Sequence, residues 1–95
     1  MVTEIAIFTA TPGKEEALGY GIIRGLEAIR QHPECISANA TICLERNGRY
    51  MLSVVWTSLE AHMKDFRSGP LYPQWRSHIE GLFEDPPEVY HYQPY

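Results

Sequence analysis

Thr3 to Ala10 is β-branched and apolar, with Ile5 and Ile7 on one face and Ala6 and Phe8 on the other, which predicts a β-strand. Thr11-Pro12-Gly13 breaks it. From Lys14 to about Gln31 the period becomes helical, because Leu18, Ile22, Leu26 and Ile29 recur at spacings of three and four. Gly21 and Gly25 fall on or beside that stripe. Each weakens a helix by up to ~1 kcal/mol relative to alanine, so both predict close packing against a sheet, with room for a ligand as the alternative. His32-Pro33 ends the helix.

Cys35 to Leu44 alternates again, and Tyr50 to Trp56 reads as a returning strand. Between them, Arg46-Asn47-Gly48-Arg49 carries the signal of a two-residue type I′ turn. That turn pairs Cys43 with Leu52, Thr41 with Val54, Asn39 with Trp56 and Ala40 with Val55. Both faces of the hairpin are then substantially apolar, which predicts cover on both. Helices supply one cover, and a second copy of the chain is the simplest other.

Thr57-Ser58-Leu59-Glu60 fits a capping box. The helix it opens should run to about Arg67 with Leu59, Met63 and Phe66 inward. After Ser68-Gly69-Pro70, a further helix from about Leu71 to Phe83 carries Trp75, Ile79 and Leu82 at core spacing. Asp85-Pro86-Pro87 leads into a last strand, Glu88 to Tyr92. The order β-α-β-β-α-β predicts an α+β, ferredoxin-like split βαβ fold with a four-stranded antiparallel sheet, as one domain over residues 1–95.

Composition narrows the partners. The net charge is -4, from eight basic and twelve acidic residues, and no basic run stands out. Nucleic acid and an anionic membrane surface are therefore not expected. Cys35 and Cys43 on one strand would lie roughly 26 Å apart at ~3.3 Å per residue, beyond disulfide reach. Two reduced thiols point to a cytoplasmic protein. The first residues lack the basic region of a signal peptide, and no apolar run approaches a transmembrane length. No metal-ligand spacing and no nucleotide-binding or nucleophile motif is present, so no cofactor is expected.

Two segments carry a more specific signal: Val55-Trp56-Thr57-Ser58-Leu59-Glu60-Ala61-His62 and Phe66-Arg67-Ser68-Gly69-Pro70-Leu71-Tyr72. They resemble the strand-end tryptophan, the helix start and the following aromatic segment of the antibiotic biosynthesis monooxygenase-like family of dimeric α/β barrels. His32-Pro33-Glu34-Cys35 resembles the family's turn before the second strand, with Glu34 where glycine is usual. The resemblance implies a homodimer with a small-molecule pocket between sheet and helices in each subunit. It disfavours the haem-degrading branch, whose asparagine, tryptophan and histidine are here Ile7 or Phe8, Phe66 and Arg76.

Candidate chemistry concentrates between Leu59 and Tyr72. Tyr72 and His62 are candidates for proton transfer, with Asn39 as a third catalytic candidate through its expected place opposite Trp56. Trp56, Phe66, Trp75 and His78 are candidate substrate contacts, and His91 is a weaker one. The expected function is a cofactor-independent monooxygenase acting on an aromatic or phenolic, polyketide- or quinol-like molecule. In that chemistry the substrate supplies the electrons and the protein supplies a dry pocket with a few donors. The alternatives are a polyketide cyclase or isomerase, or a non-catalytic dimeric binder of a small hydrophobic ligand.

Overall fold

The computed structural model describes residues 1–95. Strand β1 (Val2–Thr9) is followed by helix α1 (Glu15–Arg30), then by strands β2 (Cys35–Ile42) and β3 (Arg49–Trp56). A π-helical turn (Ala61–Phe66), helix α2 (Leu71–Ile79) and strand β4 (Glu88–Tyr92) complete the order. The sheet is antiparallel with order β2-β3-β1-β4, which is the expected ferredoxin-like arrangement.

Alternation along the central strands separates two faces. Glu4, Ala6 and Phe8 of β1 share one face with Leu52, Val54 and Trp56 of β3, and all six are buried beneath the helices. The helical stripe read from the sequence closes this layer: Leu18, Ile22, Leu26 and Ile29 are at most 2% exposed. Each such side chain contributes roughly 1.5–3 kcal/mol through burial. Gly21 and Gly25 serve a different contact from the one expected. A Cβ on Gly25 would sit 2.5 Å from the Trp75 ring, and one on Gly21 2.2 Å from the His78 carbonyl oxygen. The glycines let α1 approach α2, side by side on the sheet, rather than approach the sheet itself.

The β2–β3 hairpin departs from the expected register. Ala38 pairs with Val54, Asn39 with Ser53 and Ala40 with Leu52, while Cys35 stands opposite Trp56. A type I′ turn needs positive φ at both central residues, but here only Gly48 has it, at 79°, and no non-glycine residue does. Gly48 is held from elsewhere: its carbonyl accepts from the Ala10 N–H at 2.9 Å, and Glu15 crowds its α-carbon. These tertiary contacts override the local Asn-Gly preference and lengthen the connection. The displacement is three residues, an odd number, so it exchanges the faces. Asn39 consequently lies exposed on the face away from the helices, with Ser37 and Thr41. The β2 half of that face is polar, not apolar as the expected register required.

The segment after β3 also differs. The Thr57 hydroxyl donates to the Glu34 carboxylate, and the Ala61 N–H donates to Ser58 Oγ at 3.1 Å, so Ser58 provides the cap. The Arg67 N–H bonds to the His62 carbonyl five residues back, which widens the turn. Its buried residues are Ala61, His62 and Phe66, whereas Leu59 and Met63 are 44% and 41% exposed. α2 stops at Ile79, and Leu82 reaches the core from the following turn. No helix is long and apolar enough to cross a membrane.

Candidate active site

A cleft of about 360 Å³ opens between the helix-facing side of the sheet and the π turn and α2. Strand alternation brings Glu4, Ala6 and Phe8 to its floor, the π turn brings His62 and Phe66, and α2 brings Tyr72, Trp75 and Arg76. Arg67 and the Pro86-Pro87 link complete the lining. Two pairs of aromatic rings line the cleft. Phe66 meets Tyr72 edge-on at 5.6 Å between centroids, and Phe8 meets Trp75 edge-on at 6.1 Å.

Two titratable groups of the lining are deeply buried. Glu4 is 6% exposed and His62 is 3% exposed. The Trp56 indole N–H donates to Glu4 Oε1 at 3.0 Å, and His62 Nε2 stands 3.4 Å from the same oxygen. On its other side, His62 Nδ1 lies 2.8 Å from His91 Nε2. Trp56 stacks on the His62 ring at 5.2 Å and 16°, which fixes the imidazole plane.

Burial pushes the Glu4 carboxyl above the usual carboxylate range, against the opposing influence of the Trp56 hydrogen bond and the Arg67 guanidinium. Burial, with the neighbouring His91 and Arg67, pushes His62 down to about 4, and burial with Arg67 lowers His91 as well. Across the cleft, Arg76 Nη1 lies 3.5 Å from the Tyr72 hydroxyl, and its buried Nε has no hydrogen-bond partner. The arrangement thus sets a buried carboxylate and a neutral histidine opposite a tyrosine and an arginine, across a space walled by rings.

Of the residues singled out from sequence, His62, Phe66, Tyr72 and Trp75 meet in this cleft. Trp56 stands behind it, as the support of Glu4 and His62. Asn39 and His78 are exposed and line no part of it. Glu4, Arg67 and Arg76 were not among the candidates. The signal for Glu4 was present, because it alternates in phase with Ala6 and Phe8.

Comparison with known proteins agrees with the fold. The pattern of the antibiotic biosynthesis monooxygenase family matches residues 1–77. A provisionally named antibiotic biosynthesis monooxygenase from Bordetella bronchiseptica superposes with a TM-score of 0.91 and 29% identity, covering 99% of this chain and 96% of that one. Rv0793 from Mycobacterium tuberculosis, at 23% identity and a TM-score of 0.82, shares the fold over 99% of this chain and 94% of its own. The uncharacterised Bacillus subtilis (strain 168) protein YczJ is 27% identical over 93 residues, 98% of each chain. The chain belongs to the antibiotic biosynthesis monooxygenase family.

Proposed function

Given that membership, we propose that the protein is a cofactor-independent monooxygenase acting on an aromatic or phenolic, polyketide- or quinol-like molecule. The observation that carries the reading is the cleft itself, in which a buried carboxylate with its histidine faces Tyr72 and Arg76 across a space walled by rings. A flat aromatic substrate fits between Phe8, Phe66 and Trp75. Proton removal gives an electron-rich anion, which Tyr72 and Arg76 hold by donating to its oxygen. Arg76 Nε gains in that way the partner it lacks. The carbon ortho or para to that oxygen, a CH2 in the keto tautomer, then reacts with O2. One oxygen atom enters as C=O, the other leaves as water with the two hydrogens, and the substrate supplies all the electrons.

The test is oxygen uptake with hydroquinones, hydroxynaphthalenes and tricyclic phenols, joined to mass spectrometry under 18O2. One labelled atom per product is expected. Turnover with no oxygen uptake would overturn the monooxygenase reading and favour a cyclase or isomerase, the second reading, which the Tyr72 and His62 positions also support.

A homodimer belongs to the same proposal. The sheet face away from the helices presents Ile5, Ile7, Val55 and Met51 beside Tyr90 and Tyr92, the tyrosines 63% and 56% exposed. A second copy packed there would cover this stripe. Light scattering should give twice the chain mass, and a monomer at micromolar concentration would remove the dimer from the reading.

A further inference from the structure

We propose that Glu4, His62 and His91 form a proton relay: Glu4 takes a proton from a ligand in the cleft, and His91 delivers one to solvent at a separate surface. The inference rests on the cleft being a site for substrates with an acidic C–H or O–H, and it adds the base and the proton's exit.

Three elements bring the groups together. Glu4 on β1 and His91 on β4 are paired neighbours in the sheet, and the π turn lowers His62 between them. His62 is the only bridge among them, with 3.4 Å on the carboxylate side and 2.8 Å on the imidazole side. The longer contact is of the kind that tightens when substrate binds. Trp56 and His62 both address Oε1 of Glu4, which leaves Oε2 outside these contacts for the ligand.

The two ends of the chain open on different spaces. Glu4 and His62 line the cleft and His91 does not. His91 lines instead a surface depression of about 510 Å³, with Thr57, Ser58 and Tyr92. A carboxylate buried without a lysine or arginine partner is costly to folding, and an apolar residue of similar size would pack more favourably. Its place beside two linked imidazoles suits a group that must exchange protons.

The step balances without a further reactant. A substrate C–H or O–H bond breaks, its electron pair stays on the substrate as the anion, and an O–H bond forms on Glu4. Rotation of the protonated carboxyl group about its Cγ–Cδ bond brings that proton round to His62, whose Nε2 takes it while the Nδ1 proton of His62 moves to His91 Nε2, and His91 releases its Nδ1 proton to water. One proton enters and one leaves. The charged and titratable groups facing this chain are Arg67, Cys35 beside Glu4, Arg76 and Tyr72 across the cleft, and Glu60, Tyr92 and the Met1 amino end around the depression at His91. The lowered pKa values of His62 and His91 keep both rings neutral near pH 7, so each holds a single N–H to pass on.

Exchange of 2-tetralone protons in D2O under argon isolates this step from oxygen chemistry. The protein should accelerate exchange over buffer, Glu4→Gln should lose about a hundredfold of that, at the lower end for a positioned general base, and His91→Gln should slow exchange about tenfold with recovery on adding free imidazole. Glu4→Gln exchanging at the parent rate would overturn the base assignment. Loss in His91→Gln without imidazole rescue would reduce His91 to a structural role. Nitrogen-15 spectra of the histidine rings supply a readout free of any ligand. Glu4→Gln should shift the His91 ring nitrogens in the parent and not in a His62→Gln background, and unchanged His91 resonances in the parent, or the same shift without His62, would break the relay. Oxygen uptake without these responses would leave the monooxygenase reading standing and the relay overturned; the reverse result would do the opposite.

Discussion

Two cavities of nearly equal volume flank α1 and α2, and they differ in kind. The groove between α1 and the β2 edge measures about 370 Å³ and is lined by Tyr20, Ile22, Ile23, Ala40 and Ile42, with Glu16 at its rim. The cleft beneath the π turn and α2 measures about 360 Å³ and holds Glu4, His62, Arg67 and Arg76 among its rings. Volume alone would not choose between them. The groove can bury apolar surface and little else. The cleft holds titratable groups that are buried, Glu4 and His62, and at such positions electrostatic interactions are stronger than in water and can steer a reaction.

The contrast can be broken most forcefully at Trp75, which is 5% exposed and forms a wall of the cleft while packing against Gly25. Trp75→Ala should cost about 3–5 kcal/mol of stability and abolish turnover. A near-normal thermal melt would mean that the cleft wall is not part of the core. Acid sharpens the contrast next. Folded His62 resists protonation down to about 4, while the unfolded chain takes up that proton near the ordinary histidine value. Stability therefore falls as pH drops through this window, by at most about 1.4 kcal/mol per pH unit for one proton. Glu4 acts in the opposite sense. Its raised pKa adds stability at low pH that is lost as pH rises through the folded value. Melts from pH 7 to 4 should accordingly show a steeper acid loss in Glu4→Gln, and a shallower one in His62→Gln than in the parent.

Tyr72→Phe should keep stability within about 0.5 kcal/mol and lower kcat about a hundredfold, the lower end for loss of one donor to a developing anion. Unchanged turnover would remove Tyr72 from the mechanism. The smallest effect belongs to the groove. Ile23, 58% exposed, should accept serine with a stability change within about 0.5 kcal/mol and no change in turnover. A loss of activity there would show that the apolar cavity takes part after all.

Much of the fold was legible because periodicity survives tertiary context. The helical stripe of α1, the alternation within β1 and the placement of β4 all follow from side-chain spacing. The hairpin register was not legible. The Asn47-Gly48 preference is local, and the contacts of Gly48 with Ala10 and Glu15 arise only in the folded chain. The face of the π turn was hidden for a related reason, since an i-to-i+5 bond changes the angular spacing assumed in reading an α-helix. Half of the site could be read from its aromatic and histidine residues. Glu4 could not be weighed until strand pairing showed which face of β1 the helices cover, and His91 gained meaning only as its neighbour on β4.

The stacking of Trp56 on His62 has an optical consequence. An imidazolium quenches indole emission more strongly than a neutral imidazole does, and this indole also donates to Glu4. With Trp75 as the second of two tryptophans, its ring paired with Phe8 rather than stacked on a histidine, the protein carries an internal lamp and its own reference. Its intrinsic fluorescence can report, without any label, when a positive charge resides on His62.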